Sequence, residues 1–225
     1  MKTFIFLSVL FMLTSCNTKP TRTSTPICIN NNEIQLTQPD LQVKGELMTA
    51  LKNRCSVRTF DTKTLDLETL SNLLWAANGI NRDESAKRTA PSAVNAQDIL
   101  IYVCMEHGAF IYLPESHSLQ LVSNQDLRKE IAHTQDFAKD APISLVLVSD
   151  LSRFPFDNRE KALQLACMDA GYVSQNVYLY CTIDHLATVA RGTMNTDALK
   201  EALNLNDNQV PLLNHPIGYI KEIEQ

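Results

Sequence analysis

The chain has 225 residues, of which 44% are apolar and 20% are charged, a composition typical of one globular domain with a sizeable core. Its formal net charge of −5 makes a nucleic-acid partner unexpected. The six cysteines contain no CxxC pair and the five histidines are scattered, so the sequence predicts no metal site.

The first sixteen residues have the pattern of a bacterial lipoprotein signal peptide. Lys2 precedes an apolar run at residues 4–13 that is too short to cross a membrane. The run ends in a sequence that resembles a lipobox, Leu13-Thr14-Ser15-Cys16. We therefore expect lipidation of Cys16 and an anchor in the cell envelope membrane, with the protein facing the periplasm or the exterior. The alternative is an amphipathic or core segment. Residues 17–40 are interpreted as a tether and 41–225 as the folded domain.

Two helices are expected before residue 80. The first covers residues 45–52 and places its apolar side chains on one side. The second begins after Asp66, a favourable N-cap, and ends at Gly79. Residues 80–97 are interpreted as a polar loop.

Strands and helices interleave after this loop without a repeating βαβ unit, which favours an α+β sandwich over a doubly wound sheet. The predicted strands are 99–103, 109–113, 118–122, 143–148, 187–190 and 210–220. The last is expected at a sheet edge because it contains two prolines. The predicted helices are 126–137, 159–182 and 195–203. The helix at 159–182 is apolar nearly all round and should be buried on most sides.

Residues 54–58 form the first candidate motif. If they are extended, Arg54, Ser56 and Arg58 point to the same side, because strand side chains alternate between faces. Two guanidinium groups and a hydroxyl on one side form a good receptor for a phosphate. The alternative is a solvated basic face at the end of a helix.

Residues 91–97 form the second motif, which alone would be a turn leading into a strand. In this order, with a capped helix between them, the two motifs resemble the FMN-binding segments of the nitroreductase family. The resemblance implies that FMN is held by the first segment through Arg54, Cys55, Ser56 and Arg58. It also implies that the second segment reaches the flavin from the partner subunit of a homodimer, through Pro91, Ser92, Ala93, Asn95 and Gln97.

Further segments extend this resemblance. Arg191 and Gly192 lie where the family has a loop whose backbone N–H groups face flavin N5, although Gly192 alone could simply begin a turn. Gln135 lies where some members contact the flavin pyrimidine. Residues 74–82, 88–93 and 112–117 are similar to the branch of thiazole/oxazole-forming dehydrogenases.

The resemblance implies a three-layer α+β sandwich whose central, mostly antiparallel sheet is flanked by helices. It also implies an FMN-dependent oxidoreductase with ping-pong hydride transfer to or from a small nitroaromatic, quinone or azoline-like molecule. No catalytic side chain is expected, because flavin N5 does the chemistry. The donor would be NAD(P)H, or a quinol or periplasmic redox partner if the protein is exported. The alternative is a non-enzymatic, membrane-tethered module that binds a ligand or a protein.

Overall fold

The structure, a computed structural model, describes residues 25–221. The predicted signal peptide, its Cys16 and residues 17–24 of the predicted tether lie outside the described residues. Among residues 25–221, no helix combines the length and the hydropathy that a membrane crossing requires.

A seven-stranded sheet with helices on both faces organises the described chain. The nine strands are β1 (Glu33–Gln35), β2 (Ile80–Arg82), β3 (Lys87–Arg88), β4 (Ile99–Met105), β5 (Gly108–Leu113), β6 (Ser118–Ser123), β7 (Ile143–Asp150), β8 (Leu186–Thr188) and β9 (Gln209–Tyr219). The helices are α1 (Leu47–Asn53), α2 (Leu67–Asn78), α3 (Arg128–Ala132), α4 (Arg159–Ile183) and α5 (Thr196–Ala202). The large sheet has the order β1-β6-β5-β4-β7-β9-β8, and β2 and β3 form a separate hairpin.

Alternating side chains of the central strands divide the core into two layers. In β7, Leu145 and Leu147 pack in the core beneath α2 and α4, whereas Val146 and Val148 pack with residues of α3 and α5. All paired neighbours in the large sheet run antiparallel. The predicted α+β sandwich with a mostly antiparallel central sheet is therefore confirmed.

The predicted caps are also present. The Asp66 side chain accepts a hydrogen bond from the Thr69 N–H at 2.8 Å, and the Gly79 N–H closes the other end of α2 on the Trp75 carbonyl. Asn195 likewise caps α5 by accepting from the Ala198 N–H. These ends were predictable because capping depends on residues adjacent in sequence.

Several boundaries differ from the sequence predictions. Part of the predicted tether belongs to the sheet, because β1 pairs with β6 and Ile34 is fully buried. The helix predicted at 126–137 is shorter, since His133 has a φ of 50° and separates α3 from a 3₁₀ turn at Asp136–Asp140. The predicted loop at 80–97 contains the β2–β3 hairpin.

The last strand was placed wrongly at the sheet edge. β9 lies between β7 and β8, with β8 at the edge. The prolines are tolerated because β8 pairs only with the final part of β9, from Ile217 to Tyr219. The position of β9 matters for the site, since it supplies Asn214 and His215.

Candidate active site

The first motif lies directly after α1 and alongside β8. The Val57 N–H donates to the Thr188 carbonyl at 2.9 Å, which aligns residues 54–58 with the sheet without making them one of its strands. Arg54 is half-buried, and Cys55, Ser56 and Arg58 are exposed. Within residues 25–221, neither the Arg54 nor the Arg58 guanidinium has a hydrogen-bond or ion-pair partner. Both cations are therefore available to an external acceptor.

Tyr178 of α4 connects this motif to the loop that follows β8. Its hydroxyl lies 2.9 Å from Ser56 Oγ and accepts a hydrogen bond from the Ala190 N–H at 2.8 Å. The Arg54 guanidinium lies over the Tyr178 ring, 5.2 Å from its centroid. Sequence reasoning missed Tyr178, because it lies within a long helical pattern and 122 residues separate it from Ser56.

The loop of Arg191 and Gly192 is the third candidate segment, and β9 holds it in place. Arg191 exchanges two backbone hydrogen bonds with Asn214, one at 2.9 Å and one at 2.7 Å. The Asn214 side chain also donates to the carbonyls of Arg191 and Thr193. Gly192 is exposed, and its N–H has no acceptor in the described part of the chain. Asn214 thus fixes Arg191 and Thr193, the two neighbours of Gly192, and leaves the Gly192 N–H available as a donor.

The Arg191 side chain points into the protein. Its guanidinium donates to Gln135 Oε1, Asn214 Oδ1 and the last carbonyls of α3, those of Ile131 and Ala132. Burial lowers the pKa of Arg191 from its ordinary value. Gln135 is exposed, and its Nε2 has no acceptor among the described residues. Arg191 therefore orients Gln135 with its amide donor outward.

The second motif is a tight turn with hydrogen bonds both within it and to the neighbouring residues Ala86 and Arg88. Ser92 Oγ accepts the Gln97 N–H, and the Gln97 side chain accepts from Arg88 Nε and donates to the Ala86 carbonyl. Val94, Asn95 and Gln97 have φ values of 49°, 56° and 48°. Such values are costly for a β-branched residue, at about 1–3 kcal/mol each, and cluster at functional sites. Pro91, Val94 and Asn95 remain exposed.

Two buried acids lie next to this turn, and one of them, Asp169, holds it. Both carboxylate oxygens of Asp169, a buried residue of α4, accept the Ala93 N–H, at 3.0 and 2.9 Å. Ser149 Oγ donates to the fully buried Asp98. Burial, reinforced by the neighbouring Asp169 carboxyl, raises the pKa of Asp98 to about 7. Asp98 is thus protonated under mildly acidic conditions.

The two motifs contact α4 at separate positions. The first meets Tyr178 and the second meets Asp169, which are nine residues apart in the helix. Nine residues correspond to about 13 Å along the axis and two and a half turns, so the two side chains leave α4 on opposite sides. Within one subunit the two motifs therefore contact α4 on opposite sides, about 13 Å apart along its axis.

Comparison with known proteins agrees with this fold. The model of the nitroreductase family matches residues 51–219, which is most of the chain and includes all three candidate segments. The chain belongs to the nitroreductase family. Members of the family generally use flavin cofactors, and the fold described above is the nitroreductase fold.

Alignments with individual relatives cover most of this chain. It is 33% identical over 195 residues to a Methanocaldococcus jannaschii protein described as a nitroreductase, MJ1384, an alignment that covers 83% of this chain and 96% of that one. A crystal structure from Ralstonia eutropha JMP134, also described as a nitroreductase, has a TM-score of 0.81 and 35% identity over 89% of this chain and 95% of that one. Bacillus megaterium NfrA2 shares the fold, with a TM-score of 0.61 and 16% identity over 81% of this chain and 69% of that one.

Proposed function

We propose that this protein is an FMN-dependent oxidoreductase that passes hydride to or from a small organic molecule. The observation that carries the proposal is the pair of guanidinium groups of Arg54 and Arg58. Neither has a hydrogen-bond or ion-pair partner among residues 25–221, and the exposed Ser56 lies between them in sequence. An FMN phosphate offers the charged acceptor oxygens that such donors bind. The family membership independently favours a flavin.

The chain's own residues bind and orient the cofactor. Arg54, Ser56 and Arg58 would hold the phosphate and ribityl chain, with Cys55 beside them. The outward Nε2 of Gln135 suits a pyrimidine carbonyl, and the Gly192 N–H suits flavin N5. Bound FMN would supply hydride transfer at N5, in a ping-pong cycle in which the reductant leaves before the oxidant enters. No side chain is required as a general base.

The separation of the two motifs along α4 supports a homodimer. The segment of Pro91, Ser92, Ala93, Asn95 and Gln97 would complete a site begun by residues 54–58 of the partner subunit. The helices α1 and α4 pack together. Both expose large apolar side chains: Leu47, Met48, Leu51, Leu163 and Met168. Burial of these side chains against a second copy is favourable.

The substrate depends on the reaction that the flavin carries out, and the electron donor depends on the cellular location of the domain. The candidate acceptors are nitroaromatics and quinones, and an azoline ring is the candidate donor if the similarity to thiazole/oxazole-forming dehydrogenases extends to activity. With Cys16 lipidated and the domain outside the cytoplasm, a quinol or a periplasmic redox partner is the expected reductant. With a cytoplasmic domain, NAD(P)H takes that role.

Purification of the full-length protein tests the proposal. The expected result is a yellow protein with absorption bands at roughly 370 and 450 nm, as for any bound flavin. Released cofactor should elute as FMN on chromatography, and a quinol or NAD(P)H should bleach the 450 nm band before a nitroaromatic or quinone restores it. Protein that stays colourless after incubation with FMN, FAD and riboflavin would support the non-enzymatic module instead.

A further inference from the structure

The Tyr178 hydroxyl lies between two segments of the proposed flavin site. It contacts Ser56 of the first motif and Ala190 of the loop that leads to Gly192. Its ring also underlies the Arg54 guanidinium. No other described side chain hydrogen-bonds both the first motif and the backbone of this loop. Tyr178 therefore adds a side-chain link to the backbone hydrogen bond that the Val57 N–H makes to the Thr188 carbonyl.

The direction of the hydrogen bonds follows from the donors available. The Ala190 N–H can only donate, so the Tyr178 oxygen accepts from it. The phenol hydrogen then has one described acceptor, Ser56 Oγ at 2.9 Å. In this arrangement the hydrogen of the exposed Ser56 hydroxyl is left for an external acceptor. The opposite direction would leave the hydrogen of the half-buried Tyr178 without a described acceptor, which is less favourable.

The Tyr178 ring is supported by an uncharged, fully buried histidine. The His215 ring packs edge-on against Tyr178 with centroids 5.3 Å apart, and its nitrogens bond to Ser174 Oγ at 2.8 Å and Thr188 Oγ1 at 3.0 Å. Burial lowers the pKa of His215 to about 3, so the ring is neutral at physiological pH. The support beneath Tyr178 thus adds no positive charge to compete with Arg54.

The geometry points to Tyr178 as a positioning residue that aims the Ser56 hydroxyl hydrogen at an acceptor oxygen of FMN and fixes the first motif relative to the Gly192 loop. The inference rests on the proposed function, because it names the cofactor. Tyr178 itself acts through Ser56 and Ala190. Its stacking on Arg54 is a second contribution, which survives loss of the hydroxyl.

Tyr178→Phe tests the hydroxyl while keeping the ring. FMN affinity, measured by titration of the flavin-free dimer, should fall about five- to tenfold, the effect of losing one hydrogen bond. Amide hydrogen exchange at Ala190 should accelerate in the flavin-free protein. Tyr112→Phe is the matched control, since the Tyr112 hydroxyl makes a 2.8 Å hydrogen bond to His117 in the β5–β6 hairpin. It should leave both measurements at wild-type values.

A double-mutant cycle separates positioning from general destabilisation. Ser56→Ala alone should weaken FMN binding, and Tyr178→Phe should weaken it little further in that background, because the Ser56 hydroxyl that Tyr178 orients is already gone. Additive losses, or wild-type FMN affinity in Tyr178→Phe, would overturn the inference and leave the proposed function intact. Wild-type protein that binds no FMN would overturn both.

Discussion

Arg191 donates its Nε–H to Gln135 Oε1 at 2.7 Å across 56 residues of sequence. The same guanidinium closes the carbonyl end of α3 and reaches Asn214 of β9. The sequence position of Arg191 suggests a direct flavin contact. In the structure, its side chain instead joins Gln135, α3 and β9 behind the proposed flavin site. Direct contact of its side chain with the cofactor stays a prediction, whereas its contact with Gln135 is a feature of the fold.

Arg191→Met should destabilise the protein substantially. The change leaves two backbone carbonyls and the Asn214 and Gln135 oxygens without their donor, at an expected cost of about 2–5 kcal/mol in the free energy of unfolding. Urea denaturation measures the difference. Lys200→Met, at an exposed position of α5, is the control and should change the unfolding free energy little. A loss below about 1 kcal/mol for Arg191→Met would refute this structural role.

Arg54→Ala and Arg58→Ala should each weaken FMN binding. Loss of one charge-assisted contact to a phosphate costs about 1.5–3 kcal/mol, or about ten- to a hundredfold in affinity. Isothermal titration of the flavin-free variants gives the dissociation constants. Lys200→Ala removes one positive charge far along the chain and serves as the control. If both arginine variants bind FMN as tightly as the wild type, the phosphate assignment is wrong.

Met168→Lys should convert the dimer to monomers that bind FMN poorly. Met168 is 59% exposed in the single chain, so the lysine is tolerated there, but its charge would be costly inside an apolar interface. Light scattering gives the mass, and absorption at 450 nm gives the bound flavin. Leu41→Lys, another exposed apolar position but outside α1 and α4, should stay dimeric. A Met168→Lys monomer with a full complement of FMN would contradict a site shared between subunits.

Asp98 should make the protein less stable as the pH rises. Burial raises the pKa of Asp98 from 3.8 to about 7, so the folded state holds a proton that the unfolded state releases near pH 4. This contribution is fully present below pH 4 and disappears between about pH 4 and pH 7. Asp98→Asn keeps an acceptor for Ser149 and cannot titrate, so thermal unfolding of the variant should depend less on pH across this range. Identical pH profiles for the two proteins would argue against a protonated Asp98.

Cys16→Ala should leave the protein unprocessed and without lipid. Intact mass spectrometry of the wild type should show a chain that begins at a lipid-modified Cys16 and partitions into detergent. Cys28→Ala is the control and should be processed normally. Wild-type protein that retains Met1 in the soluble fraction of cells would exclude the anchor and favour NAD(P)H as the donor.

Local features of the sequence determined the ends of α2 and most strands. The Asp66 cap, the stop at Gly79 and the apolar run of β7 depend on residues close together in the chain, where capping and periodicity operate. The two motifs were also visible, because each is a short contiguous segment. What such patterns do not contain is which distant residue a motif contacts.

Tertiary structure alone decided how these segments are supported. Ser56 meets Tyr178, Ala93 meets Asp169, and Gln135 meets Arg191 across 122, 76 and 56 residues. The inward turn of Arg191 and the interior position of β9 arise from packing of the completed sheet against α3 and α4. Contacts of this kind depend on chain topology. The same side chain can bind a ligand or hydrogen-bond within the protein, and the segment that the fold places beside it decides which.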